Sequence, residues 1–142
     1  MQTRPAHQPR ACAEAPMDDC IFCRIVAGQA PADFVRATDT VVVFMSLEGH
    51  PMVVPKRHVR DLFGRDRLTA AEIIETSIEI AQAMRRTLAC DGIYVGQANG
   101  AAAGHYVFHY HMHLHPRWAD GRSVDCQRTT RKAMAEGIRS AL

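Results

Sequence analysis

Five of the eight histidines in this chain fall between positions 105 and 115, in the run His105-Tyr-Val-Phe-His109-Tyr-His111-Met-His113-Leu-His115-Pro-Arg117. An imidazole that is neutral near pH 7 can act as nucleophile, general base or metal ligand. Strand side chains alternate between faces, and strict alternation predicts a strand over Tyr106 to Leu114. His105, Val107, His109, His111, His113 and His115 then share one face, with successive rings about 6.5–7 Å apart. Tyr106, Phe108, Tyr110, Met112 and Leu114 share the other, which is expected on the core. Rings this close disfavour one another's protonation, so several should be neutral. Two plainer readings compete: a solvated histidine-rich strand without a role, and a strand that only binds metal.

A second pattern is Cys20-Ile-Phe-Cys23. A C-x-x-C pair is either a redox motif or half of a zinc site, and the absence of a surrounding βαβ pattern weakens the redox reading. The five cysteines, at 12, 20, 23, 90 and 126, are odd in number and lack a disulfide-framework spacing. With no apolar signal-like segment at the N-terminus, a reducing cytoplasm is expected. Cys90, at the end of a helix, reads as a buried or half-buried thiol, and Cys12 and Cys126 have no evident partner.

These residues need elements to position them. Residues 1–16 are proline-rich and without apolar periodicity, and read as a flexible extension ending at about residue 17. Cys20 to Ala27 suggests one or two helical turns stopped by Gly28 and Pro31. Phe34–Ala37 and Thr40–Met45 read as a hairpin across Thr38-Asp39, and Pro51–Pro55 as a short strand. Leu68 to Cys90 is the clearest helix, with a Thr69/Glu72 capping box and an apolar stripe through Ile73, Ser77, Ile80, Ala81, Met84 and Leu88. Ile93–Val95 is a further strand, Asn99–Gly104 a loop of small residues, and 119–142 a partly helical tail. Strands, a long helix, then strands again predict an α+β fold: an antiparallel sheet of about five strands with one long and one short helix packed on it.

The bulk numbers agree with one small domain. The chain has 142 residues, 47% apolar and 23% charged, with a formal charge of +2. That length supports a single core, and no apolar run reaches the ~20 residues of a membrane span. The charge balance argues against DNA or RNA as partner, because a nucleic-acid binder shows a basic stripe.

The run His109-Tyr-His111-Met-His113-Leu-His115-Pro-Arg resembles the histidine-triad signature. The likeness extends to Cys20-Ile-Phe-Cys23-Arg-Ile-Val-Ala-Gly, to Gly49-His50-Pro-Met-Val-Val-Pro55-Lys56-Arg-His58 and to the Asn99–Gly104 loop, so it covers about residues 18–118. The resemblance implies a nucleotide hydrolase or transferase. His111 would attack the α-phosphorus of a nucleotide conjugate, His113 would contact the phosphate and leaving group, and His50 would converge on the same place. Asn99, Gly104 and His105 would line the phosphate site. It also implies a structural Zn2+ on Cys20, Cys23, His58 and His109, and a homodimer built on the long helix and a strand.

The chain departs from the family pattern in places. His105 and Tyr106 stand where Gln and Ser or Thr are common. Ala98 stands where a polar residue is expected, with Gln97 or Asn99 as substitutes. Ser46 stands where the Asp that usually grips the ribose is expected; Ser46 and Glu48 line the substrate site, and either Glu48 takes over the ribose contact or that grip is lost. These changes keep alive a reading of another class, a non-catalytic nucleotide- or zinc-binding module. Trp118, just past Pro116-Arg117, could cover a pocket mouth or simply pack.

Overall fold

The computed structural model describes residues 19–64 and 67–142. The expected extension at residues 1–17, with Cys12, lies outside them. Five strands form one antiparallel sheet in the order β1-β2-β3-β5-β4. They are β1 (Phe34–Ala37), β2 (Val41–Met45), β3 (Pro51–Pro55), β4 (Gly92–Gly96) and β5 (Met112–Arg117). Three α-helices among the described residues accompany them: α1 (Ile21–Val26), α2 (Arg67–Leu88) and α3 (Arg128–Ser140). The fold is α+β, as expected, with a second substantial helix formed from the expected C-terminal tail.

The two faces of the sheet are covered differently. Val41, Val43, Met45, Val53, Met112 and Leu114 pack under Ile73, Ile80, Ala83 and Met84 of α2 and Ala135 and Ile138 of α3. On the other face, Val42, Phe44, Met52 and Val54 pack with Cys20 and with Phe22, Cys23 and Ile25 of α1. Strands β2 and β3 are buried on both sides, which is why their sequences run apolar without alternation. The short α1 covers only part of its face, and the histidines of β5 occupy the rest.

Two expectations need correction. The strand predicted over Tyr106–Leu114 starts only at Met112 and continues to Arg117. Its upstream half leaves the ladder because the backbone bonds elsewhere: His109 N–H turns back to the Val107 carbonyl (2.8 Å), and Tyr110 N–H reaches the Val59 carbonyl (2.6 Å). Tyr106 and Phe108 are therefore 68% and 41% exposed rather than in the core, with the Arg60 guanidinium over the Phe108 ring. The capping box is the second. Because α2 begins at Arg67, Thr69 lies inside the helix and is not its cap. Cys90 is buried, as expected, and Cys126 is exposed.

Candidate metal centre and histidine cluster

Cys20 caps α1, its sulfur accepting the Cys23 N–H at 3.4 Å. The helix turn places Cys23 beside it. The other two partners come from the segments around β3 and β5. Cys23 Sγ lies 3.3 Å from His58 Nδ1 and 3.5 Å from His109 Nδ1, and Cys20 Sγ lies 3.4 Å from His109 Nδ1. With zinc–sulfur bonds of about 2.3 Å and zinc–nitrogen bonds of about 2.0–2.1 Å, tetrahedral ligand atoms stand ~3.5 Å apart. These three pairs stand close to that spacing, and all four donors lie within 4.8 Å of one another.

The tautomer of His109 agrees with that role. Its Nε2 lies 2.7 Å from the Pro55 carbonyl, which can only accept, so the proton sits on Nε2 and the Nδ1 lone pair faces the sulfurs. Ligating histidines are commonly held this way. Burial pulls the His109 pKa down to about 4, against the pull of the Pro55 carbonyl, so the ring is neutral. Burial pushes the Cys23 thiol up to about 12, with Cys20 adding to the effect. Metal binding would therefore expel a thiol proton.

His111 sits one residue before β5. Its Nδ1 is 2.7 Å from the His109 carbonyl, so this nitrogen carries the proton and Nε2 is left with its lone pair. The ring stands edge-on to Phe22 of α1 (5.0 Å, 88°) and 4.7 Å from the ring of His113. Its pKa lies below the ordinary value, chiefly through burial. His50 arrives from the β2–β3 hairpin. That turn is closed by Ser46 N–H to the His50 carbonyl (2.8 Å) and by Gly49 at φ +95°. A Cβ at Gly49 would stand 3.3 Å from the Asp125 carbonyl oxygen, so the turn also needs glycine for the close approach of the chain after β5. His50 Nε2 lies 2.7 Å from His113 Nδ1. Burial first, then the neighbouring histidines, pull His50 down to about 3 and His113 to about 4.

The remaining expected contacts fall in three states. His105 is 2% exposed. Its Nδ1 accepts the Gly100 N–H (3.1 Å), so Nε2 carries the proton, and this buried donor has no partner among the described residues. The His105 ring is 6.0 Å from that of His111. Gly104, at φ +88°, closes a 3-10 turn over Ala101–Ala103 in the same loop. Asn99 and Ser46 are engaged within the protein. Asn99 pairs amide to amide with Gln97 and accepts the Leu62 N–H, whereas Ser46 Oγ lies against His50 Nδ1 (3.2 Å). Glu48 is exposed and close enough to His115 to favour its charged form. Trp118 packs, its indole N–H donating to the Leu88 carbonyl (3.2 Å). A cavity of about 190 Å3 lined by Pro55, Val59, Ile73 and Tyr110 contains none of the histidines.

Sequence reasoning missed two contributors. His115 had a place in the histidine row and no role, yet it joins His50 and His113. Its place two residues beyond His113 was the available signal. Phe22 lay between the two cysteines, and nothing in the pattern linked it to His111.

A sequence profile described as "HIT domain" matches residues 27–120. The chain is 35% identical over 114 residues to "Protein hit" of Bacillus subtilis, covering 78% of this chain and 76% of that one. It resembles a crystal structure described as a Zn-bound histidine triad family protein from Mycobacterium smegmatis, at TM-score 0.80 and 30% identity, covering 87% and 93% of the two chains. It also resembles a histidine triad nucleotide-binding protein from Candida albicans, at TM-score 0.65 and 26% identity, covering 75% and 81%.

Proposed function

Since this chain belongs to the HIT (histidine triad) family, we propose that it cleaves nucleotide conjugates at the α-phosphate through a nucleotidyl intermediate on His111. The observation that carries this reading is the hydrogen bond from His111 Nδ1–H to the His109 carbonyl, which leaves Nε2 unprotonated. In the first step Nε2 attacks phosphorus, the phosphorus–nitrogen or phosphorus–oxygen bond to the leaving group breaks, and the leaving group takes a proton from solvent. Water then attacks phosphorus and gives up a proton to solvent, the bonding pair to His111 returns to Nε2, and a nucleoside monophosphate departs. Splitting one displacement into two in this way is covalent catalysis. His113 lies beside the reacting ring, with His50 hydrogen-bonded to it, and the two are assigned the phosphate and leaving group. The unpartnered Nε2–H of His105 supports a further donor to phosphate oxygen beside Gly104. With Ser46 and Asn99 engaged internally, exposed Glu48 is the candidate for the ribose. Nucleoside phosphoramidates, aminoacyl adenylates and dinucleoside polyphosphates all present the required phosphorus.

A zinc ion on Cys20, Cys23, His58 and His109 is part of the proposal. Four protein ligands make a closed, structural site that ties α1 to β3 and β5 and supplies no reaction step. Two reduced thiols at such a site suit the cytoplasm. A homodimer is also proposed, on α2 and edge strand β4, where Ile74, Ile78, Tyr94 and Val95 are exposed.

The test is turnover of a fluorogenic adenosine phosphoramidate, with a short-time acid quench to trap labelled protein. Wild type is expected to turn over and to carry label, and His111→Asn to lose both, with rate falling by roughly 10³-fold or more. Tight nucleotide binding without turnover or label would instead establish the binding-module reading, which the internal engagement of Ser46 favours.

A further inference from the structure

His50, His113 and His115 each offer one ring nitrogen, and the three nitrogens lie within 4.8 Å of one another. The rings are supplied by rigid parts of the fold. His113 and His115 stand two residues apart on β5, with rings 5.5 Å apart and nearly parallel at 19°. His50 crosses from the β2–β3 hairpin, with its ring 3.9 Å from that of His115 and 5.0 Å from that of His113. This cluster shares no residue with the Cys20/Cys23/His58/His109 set.

We propose that His50, His113 and His115 form a second metal site, an all-imidazole seat for a divalent transition metal of the zinc, cobalt, nickel or copper class. Imidazole suits these ions and hard cations such as magnesium prefer oxygen. Three protein ligands leave the fourth tetrahedral position for water or an anionic oxygen, unlike the closed cysteine-containing cluster.

The arrangement already has the supports such a site needs. Ser46 Oγ lies 3.2 Å from His50 Nδ1, so it can accept that ring's outer proton and leave Nε2 for the metal. Two nitrogens on one tetrahedral ion at about 2.0–2.1 Å stand ~3.3 Å apart, and His50 Nε2 and His113 Nδ1 are 2.7 Å apart. Loading therefore replaces their hydrogen bond: the rings part by about half an ångström, and the proton between them moves to an outer ring nitrogen or leaves to solvent. The neighbouring charges oppose each other. Glu48 favours positive charge at His115, and Arg117 disfavours it. Buried neutral rings keep their lone pairs available at pH 7.

The proposal stands on ligand geometry and is independent of the reaction assigned to His111. Its consequence for that reaction is direct, because a metal here withdraws His50 and His113 from any phosphate beside His111.

The test is a titration of the metal-free, reduced full-length chain with cobalt(II), followed by absorption and by equilibrium dialysis. Wild type is expected to bind two equivalents. The tighter shows thiolate-to-cobalt charge transfer, and the weaker shows ligand-field bands alone. His115→Ile and His115→Gln are expected to lose the second equivalent and keep the first. Cys20→Ser/Cys23→Ser is expected to lose the charge-transfer band and keep the second. His7 and Cys12 remain in every variant, so an equivalent held by the N-terminal residues would survive both His115 substitutions. That survival, or saturation of the wild type at one equivalent, overturns the proposal. Should a His115 variant fail to fold by circular dichroism, the wild-type count and its second spectrum decide. None of these readouts involves turnover, so they stand apart from a failure of the proposed hydrolase activity.

Discussion

At the scale of single residues, proton placement is the main determinant. Two backbone carbonyls, of Pro55 and His109, each take the proton of one histidine and so expose the lone pair of its other nitrogen. The histidine row was legible from the sequence, because residue type and spacing are local. The His109 tautomer was not, because the Pro55 carbonyl lies 54 residues away. Phe22 supports His111 by an edge contact and meets Phe44 at 5.3 Å. Phe22→Ala should cost about 3–5 kcal/mol, as core Phe truncations do, measured as a lower urea midpoint. Stability should also depend on pH with a definite sign. His50 and His113 have folded-state pKa values near 3 and 4, below the ordinary 6.5, so the unfolded chain binds more protons between those limits. In chelator-treated protein, stability should be full above about pH 6.5 and fall as pH drops toward 4. Each displaced unit corresponds to roughly 1.4 kcal/mol. A urea midpoint that is level across this range would contradict the neutral-ring assignment.

At the scale of elements, the helix with the fewest residues has the most specific task. α1 spans six residues, Ile21–Val26, too short to hold itself in water. It is fixed by Phe22 and Ile25 in the core and by its two cysteines. Removing the metal should therefore detach it, and a chelator should lower Tm by about 10 °C or more, since each kcal/mol lost is worth about 2–4 °C at this chain length. Cys20→Ser/Cys23→Ser should show the same loss by calorimetry before any chelator is added. The hairpin, β3, α2 and β4 were legible from apolar pattern and turn residues, with boundaries close to those found. The start of β5 was not, because the alternation continues through residues whose N–H groups bond to Val107 and Val59 instead of the neighbouring strand. The sequence pattern records side-chain type, and the ladder depends on where the backbone finds partners. α3 was read only as modest helical character in a tail, although Ala135 and Ile138 are buried in the core.

At the scale of the whole molecule, among the described residues no helix is long and apolar enough to cross a membrane. Four exposed apolar groups lie on α2 and β4: Ile74 and Ile78 are about half exposed (50% and 52%), and Tyr94 and Val95 flank the open edge of the sheet. An unpaired edge with an apolar margin is an association surface. Sedimentation should show a dimer, and Ile78→Glu should shift it toward monomer while leaving the circular dichroism spectrum unchanged. His109 connects these scales. Its side chain faces two sulfurs, its far nitrogen grips β3, and its carbonyl sets the proton of the next histidine, His111. A preparation only partly loaded at the Cys20/Cys23/His58/His109 site should therefore behave like a dimmed lamp: specific activity should track occupancy of an ion that never meets the substrate.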